Sequence, residues 1–467
     1  MQIIADLQLH SKYSRAVSPE MVIPKMYEWN LKKGIGLLAT GDWTHPIWRR
    51  ELKVNLDELG NGLLKIKPEV LKQIQKGMLK QVQHDGSVND PSFLLSGEVS
   101  CIYSHNGKTR RNHILMFAPS FDVVDKISNE LVKRGCNISS DGRPIIGLTS
   151  QEMCEVAWSV SEDVLVIPAH AWTPWFSLYG SMSGYDSLTE CFGQYSDRIY
   201  AIETGLSSDP SMNWRIKELD TRTLISCSDS HSGPKLMREA TIFEIPKNHQ
   251  LNFKSISDSL KNYQRDLKLP HIAATVEFYP EEGKYHYSGH RACNIRWSPE
   301  EVKQKGTICP VCGRTITIGV LERIEKLASR SVKDLQIYQK PLGNLTIKAT
   351  YSKKYPNRAP YLSLVPLMEI VAESFGVNSY SIKVRAEYDK IVESFGGEFN
   401  VLVKTPKEKI AAISNEKLAV GVENVRSGNI VIIPGYDGVF GTVKVWNEGK
   451  KNTQEAEVNK KEQMSMF

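Results

Sequence analysis

The sequence predicts an α/β protein: a β/α barrel first, then a small metal-binding module and a mainly helical C-terminal region. Three observations lead there. Through about the first 250 residues, short apolar runs alternate with stretches of helical periodicity, the pattern of repeated strand–helix units around a parallel sheet. Acidic residues and histidines stand just after several of those runs, where a β/α barrel carries its site. Further on, His290-Arg291-Ala292-Cys293 and Cys309-Pro310-Val311-Cys312 form two knuckles with metal-ligand spacing. The expected boundaries are 1–250 for the barrel, 251–330 for the module, 331–446 for the helical region and 447–467 for a flexible tail.

With 467 residues the chain is long enough for about two to four domains. Its net charge of +6 permits a polyanionic partner without demanding one. The start, Met1-Gln2-Ile3-Ile4-Ala5-Asp6, has no basic segment followed by a long apolar one, so no signal peptide is expected. No apolar run approaches the roughly 18 residues of a membrane span. Five of the eight cysteines (Cys101, Cys136, Cys154, Cys191 and Cys227) are scattered like reduced thiols, while Cys293, Cys309 and Cys312 cluster. The expected setting is a reducing cytoplasm.

Taken in order, the strand candidates are Ile3-Ile4-Ala5, residues 36–40, Phe93-Leu94-Leu95, residues 113–117, residues 164–167, residues 199–202 and Thr223-Leu224-Ile225. Residues 19–33 and 122–134 have helical periodicity. The stretch Ser226-Cys227-Ser228-Asp229-Ser230-His231-Ser232 follows the last strand candidate. An Asp and a His two apart on extended chain point to one side and can share a metal. Asp6 and His10, Asp42 and His45, Glu98 and His113, and His170 repeat the theme. Five such groups point to one polynuclear site.

These motifs resemble a known family. Asp6-Leu7-Gln8-Leu9-His10-Ser11, Gly41-Asp42-Trp43-Thr44-His45, Ser96-Gly97-Glu98, Pro168-Ala169-His170 and Ser228-Asp229-Ser230-His231 are similar to the successive motifs of the PHP (polymerase and histidinol phosphatase) phosphoesterases. Asp141-Gly142-Arg143-Pro144, the run Trp172-Thr173-Pro174-Trp175-Phe176-Ser177, residues 203–210 and the cysteine cluster bring the resemblance closer to endonuclease Q of bacterial type, and extend it over most of the chain. The resemblance implies a distorted PHP barrel holding up to three metals. It also implies a repair nuclease that cuts DNA 5′ to a deaminated base (uracil, hypoxanthine, xanthine) or an abasic site.

The resemblance implies His10, Asp42, Glu98, His113, His170, Asp229 and His231 as metal ligands, with Asp229, Glu98 and His170 central to catalysis. Ions held there would acidify a water and neutralise charge on phosphate oxygens. Zinc is the first expectation, with magnesium or manganese as the alternatives in the active site. His45 and Asp6 have the setting of hydrogen-bond partners behind the ligands, and Glu203 is a further candidate. One departure stands out: Gln8 occupies the place of the first His in the usual His-x-His motif. An amide oxygen coordinates more weakly than imidazole, so either one metal position is weaker or activity is reduced.

For DNA, Lys108, Arg110 and Arg111 form a basic turn that either grips backbone phosphates or is a solvated hairpin tip, and Arg143 is similar. Trp172, Trp175, Phe176 and Tyr179 follow His170 directly and are read as a stacking surface for an everted base, against a plain hydrophobic loop core. In the module, His290, Cys293, Cys309 and Cys312 make a four-ligand structural zinc site, with His286 the rival for His290. Residues 315–330 read as a strand entering a helix. Residues 366–375, 381–395 and 414–425 read as helices and 430–446 as a hairpin, either a DNA clamp or a scaffold. The polar tail ends in Gln463-Met464-Ser465-Met466-Phe467, which resembles the bacterial sliding-clamp binding peptide.

The leading expectation is therefore a deaminated-base endonuclease with DNA and a sliding clamp as partners and no membrane. A PHP-type phosphatase of small phosphate monoesters is the second reading. A weakened DNA-binding or clamp-binding protein, supported by Gln8 alone, is the third.

Overall fold

Short, almost wholly buried strands set the frame of this computed structural model, which describes residues 1–77 and 90–446. β1 (Gln2–Asp6) pairs in parallel with β2 (Leu37–Ala39), and β2 in parallel with β3 (Ser92–His105). β3 turns into the antiparallel β4 (Lys108–Ala118), which pairs with β5 (Leu165–Pro168). β6 (Ala201–Glu203) and β7 (Thr223–Ile225) form a separate parallel pair. Backbone bonds join these pieces at their ends: Ala171 donates to Glu203 (3.1 Å) and His10 donates to Ser230 (3.0 Å). The loops after β1, β5, β6 and β7 are thereby drawn to one place.

The turn between β3 and β4 follows directly from its residues. Asn106 and Gly107 both have positive φ (52° and 70°), the left-handed pair that a two-residue hairpin turn requires and that Asn-Gly adopts most readily. The basic turn expected at 106–111 is thus the tip of a long ribbon. The helix Ile23–Lys33 ends at Gly34 in left-handed conformation (φ 80°), where a side chain would cost most.

On the other flank of β1 lies the antiparallel β8 (Ala240–Glu244), followed by β9 (His271–Glu277). β9 continues in parallel to Tyr361–Ser363, and Lys348–Ser352 and Ile337–Pro341 complete the row, in a sheet of 13 strands. The sheet therefore crosses the boundary expected at residue 250, and the region expected to be mainly helical from 331 opens with three strands. The reason is physical: these strands are short or alanine-containing and gain their stability from partners far away in sequence, which local pattern does not reveal. Helices follow at Leu367–Phe375, Ile382–Phe395, Glu398–Val403, Lys407–Ile413 and Glu416–Ser427, then a small hairpin of Val431–Ile433 and Thr442–Lys444.

One buried ion pair fastens those helices to the N-terminal part. Lys33 Nζ lies 2.5 Å from Glu398 Oε2, and both side chains are almost fully buried. Glu398 also accepts from the Tyr388 hydroxyl (2.7 Å) and the Leu367 amide (3.0 Å). Removing the cation leaves a buried carboxylate uncompensated. Lys33→Ala is expected to destabilise the chain by about 3–5 kcal/mol, whereas Lys33→Ala with Glu398→Gln recovers part of the loss; chemical denaturation of both variants checks this.

Candidate metal centre

Three turns at strand ends share an uncommon backbone conformation. Asp42 after β2, His170 after β5 and Asp229 after β7 all have positive φ (49°, 31° and 45°). For residues other than glycine this is strained, and here the strain turns side chains inward towards one another. Glu98 and His113 come instead from the middle of the β3–β4 ribbon, where Ser100 is the register partner of His113.

The inward side chains form two groups with Glu98 between them. Glu98 Oε1 lies 2.6 Å from His113 Nδ1 and 3.5 Å from His170 Nε2. Glu98 Oε2 lies 3.2 Å from His10 Nε2, and His10 Nε2 is also 3.2 Å from Asp229 Oδ1. His231 completes the second group, its ring centroid 4.9 Å from that of His10. Within Glu98–His113–His170, and within His10–Asp229–His231, the ligand atoms lie within 4.8 Å of one another. The donor set of imidazole nitrogens and carboxylate oxygens suits divalent transition ions. Gln8 Oε1 is buried without a hydrogen-bond partner, as a group facing a cation is. The residues fit a two-ion centre.

Asp42, expected as a ligand, belongs to neither group. Its Oδ1 is 2.9 Å from His10 Nδ1, and its Oδ2 accepts from the Ser11 amide (2.6 Å), the Ser11 hydroxyl (2.7 Å) and the Ser14 hydroxyl (2.9 Å). Oδ1 thereby aims His10 Nε2 at the centre, and Oδ2 is held by Ser11 and Ser14. Gly142 allows the close packing here, because a Cβ on it would collide with Asp42 Oδ2. Asp6 accepts from the amides of Ser228 and Met237 (both 3.0 Å) and so pins the loop that carries Asp229. Glu203 accepts from the His170 amide (2.6 Å). His45 caps the helix Pro46–Asn55 and stacks on Tyr13, with ring centroids 4.4 Å apart. Gln8 donates to Glu98 Oε2 (2.7 Å).

Two arginines complete the setting. Arg143 Nη1 reaches within 3.5 Å of Glu98 Oε1 and 3.4 Å of His10 Nε2, closer to the centre than its turn suggested. Arg238, which carried no sequence signal, donates to the carbonyls of Ser228 (2.8 Å) and Asp229 (3.2 Å). Burial works against the charge of Glu98, but Arg143, His113 and His10 outweigh it and hold its carboxyl well below the usual range. Burial opposes protonation of His10 too, yet the facing Asp42, Asp229 and Glu98 raise its pKa well above the ordinary value. Burial brings His113 down to about 4.

The loop after His170 divides into a buried and an accessible half. Trp172 and Tyr179, expected as base-stacking surfaces, are only 1% and 0% exposed. They stack on each other (4.6 Å), the Trp172 indole donates to Asn213 (2.8 Å) and the Tyr179 hydroxyl to Glu218 (2.7 Å). The polar handles that let these rings be buried are remote in sequence. Trp175 and Phe176 stay half-buried. The Phe176 ring lies 4.9 Å from the His113 ring, and the Arg111 guanidinium stands 5.5 Å from its centre. Lys108 is exposed at the ribbon tip, while Arg110 folds onto the Tyr185 ring (4.1 Å) and donates to the Gly184 carbonyl.

In the cysteine cluster, His290, Cys293, Cys309 and Cys312 bring their ligand atoms within 4.8 Å of one another, and Cys312 Sγ is 3.4 Å from His290 Nδ1. Sulfur from the three cysteines and nitrogen from the histidine match tetrahedral zinc. His286 is buried and stands outside the group. Gln463-Met464-Ser465-Met466-Phe467 lies outside the described residues. Among the described residues no helix is long and apolar enough to cross a membrane.

Comparisons with known proteins point to one family of structures. A family model described as the MJ0043 C-terminal domain matches residues 366–429. The uncharacterized protein MJ0043 of Methanocaldococcus jannaschii is 28% identical over 276 residues, which are 59% of this chain but 31% of that protein, so the chain spans about a third of it. The uncharacterized protein YqxK of Bacillus subtilis is 27% identical over 387 residues, 81% of this chain and 86% of YqxK. Among solved structures, the lesion-specific endonuclease PfuEndoQ from Pyrococcus furiosus has a TM-score of 0.76 at 29% identity, covering 98% of this chain and 99% of its own. An endonuclease Q in complex with a 27-mer duplex, with an abasic lesion at the active site, has a TM-score of 0.74 at 29% identity and covers 97% and 100%. The resemblance to endonuclease Q read from the motifs holds over nearly the whole chain.

Two expectations follow for the centre. Gln8→His should strengthen divalent-ion binding roughly tenfold, read by calorimetric titration of the metal-free chain; unchanged affinity would show that Gln8 does not face an ion. Burial also lifts Glu203 from 4.5 to about 8. A pKa raised on folding adds stability that is complete below the unfolded value and vanishes as pH rises through the folded one. The metal-free chain should therefore lose thermal stability between about pH 5 and about pH 8, and Glu203→Gln should flatten that slope in scanning calorimetry.

Proposed function

We propose that this chain, a relative of endonuclease Q, is a metal-dependent DNA repair endonuclease that hydrolyses the phosphodiester 5′ to a deaminated base or an abasic site. One observation carries the reading: the two oxygens of Glu98 face two separate ligand groups, in a chain similar throughout to an endonuclease Q solved with lesion-bearing DNA. Phosphodiester hydrolysis needs charge compensation on both sides of the phosphorus, which a two-sided carboxylate organises.

Divalent ions (zinc, or else manganese or magnesium) bound by His10, Asp229, His231, Glu98, His113 and His170 would neutralise charge on the phosphate and acidify a water. The protein residues do the rest. Asp42 and Glu203 fix the directions of His10 and the His170 backbone. Arg143 presents a guanidinium to a phosphate oxygen beside Glu98. Trp175 and Phe176, not Trp172 and Tyr179, offer ring surface to an everted base. Lys108 and Arg111 contact the DNA backbone. The reading extends to the strands around the centre as a distorted PHP barrel and to the cysteine cluster as a structural zinc site. It also gives the C-terminal peptide to a bacterial sliding clamp, in the cytoplasm at the nucleoid.

The test uses end-labelled duplexes carrying one uracil, hypoxanthine or abasic site, beside an undamaged control, with zinc, manganese and magnesium supplied separately. A nick 5′ to the lesion is expected, reduced at least about a hundredfold in Asp229→Asn. Failure to nick any lesion in any metal, together with hydrolysis of p-nitrophenyl phosphate, would replace this reading with a monoester phosphatase.

A further inference from the structure

A buried guanidinium stands between the cysteine cluster and the loop beside the candidate metal centre. Arg323 stands in the helix Val320–Leu327 and is only 6% exposed. Its Nε donates to the Tyr179 carbonyl (2.8 Å), and its Nη2 donates to the Tyr185 carbonyl (2.8 Å) and to Asp186 Oδ1 (2.6 Å). All three acceptors belong to the loop that follows His170. A buried arginine satisfied by two backbone carbonyls and a carboxylate holds that backbone firmly, because no water can replace it.

Both ends of this connection are visible. Towards the centre, the Phe176 carbonyl accepts from the His113 amide (3.2 Å), and the Ser183 carbonyl accepts from the Arg111 amide (3.3 Å). The loop therefore rests on the strand that carries His113. Towards the cysteine cluster, the Val320 amide donates to Tyr285 (2.8 Å), and Thr317 donates to Gly289 (2.8 Å) in the strand Ser288–His290 that ends at His290. The Trp175 ring meets the Tyr285 ring edge-on at 5.4 Å. A pair of bonds from Arg215 to Glu325 (2.6 and 2.8 Å) ties the same helix to the body of the protein.

We infer that Arg323 is a positioning residue for the loop 171–186, through which the cysteine cluster sets the pose of Phe176 beside His113 and of its neighbour Trp175. The inference rests on the nuclease reading only for the ligand it names, lesion-bearing DNA; the mechanical connection stands on the contacts above. Holding the loop in place before DNA arrives reduces the ordering that binding must otherwise supply.

Hydrogen exchange of the full, metal-loaded chain, followed by mass spectrometry, tests this. In Arg323→Ala, amides within 171–186 should exchange at least roughly tenfold faster, while those of β7 keep their protection. Arg323→Lys, able to donate to part of the same acceptor set, should restore some protection. The Kd for an abasic duplex should rise by a similar factor, with the single-turnover nicking rate at saturating DNA and the affinity for Mn2+ both held. Cys312→Ser, which removes a ligand from the cluster, should loosen the same amides. Unchanged exchange in 171–186 in Arg323→Ala would overturn the inference, as would faster exchange spread equally over β7. Protection in Cys312→Ser equal to that of the parent chain would overturn the part given to the cysteine cluster. A parent chain that nicks no lesion would count against the nuclease reading and leave the exchange result standing.

Discussion

Burying one carboxylate among three histidines is the constraint on which the rest of this molecule depends. Glu98 is 2% exposed, yet each of its oxygens faces imidazole nitrogens from different strands. An isolated charge in that position would be untenable, so its compensation must be assembled from far apart in the chain. His10 arrives after β1, His113 from β4 and His170 after β5, while Arg143 reaches in from the Asp141–Pro144 turn. The strand arrangement makes those approaches simultaneous.

Around this anion lies a layer of acids whose work is mechanical. Asp6 holds the Asp229 loop by two amides, Asp42 aims His10, and Glu203 holds the His170 backbone. Each spends its hydrogen bonds on fixing a ligand. The left-handed turns at Asp42, His170 and Asp229 are sustained by those bonds, which offset the strain of the turns themselves.

Much of this was legible in the residues. The ligand candidates His10, Glu98, His113, His170, Asp229 and His231 do converge: His10, His170, Asp229 and His231 follow short apolar runs, a local signal of a strand-end site, while Glu98 and His113 join them from within the long ribbon. The cysteine knuckles are local too. What stayed hidden depends on distant partners. The hydrogen bonds that Asp42 accepts from Ser11 and Ser14 join residues about 30 positions apart, which local pattern does not pair. Trp172 and Tyr179 look like a stacking surface until Asn213 and Glu218 satisfy their polar atoms. β9 and the three strands that extend it have weak periodic signals of their own and continue the sheet from the edge of β8.

The β3–β4 ribbon has one more consequence. Glu98 stands seven positions before His105, the last residue ahead of the Asn106-Gly107 turn. At about 3.3 Å per residue the exposed tip lies roughly 23 Å along the ribbon from Glu98. Stacked base pairs rise by about 3.4 Å each, so that span equals about seven of them. The ribbon is in effect a measuring rod: it holds the exposed Lys108 at a fixed remove from Glu98, and under the proposed nuclease reading only a duplex longer than about seven base pairs would span both.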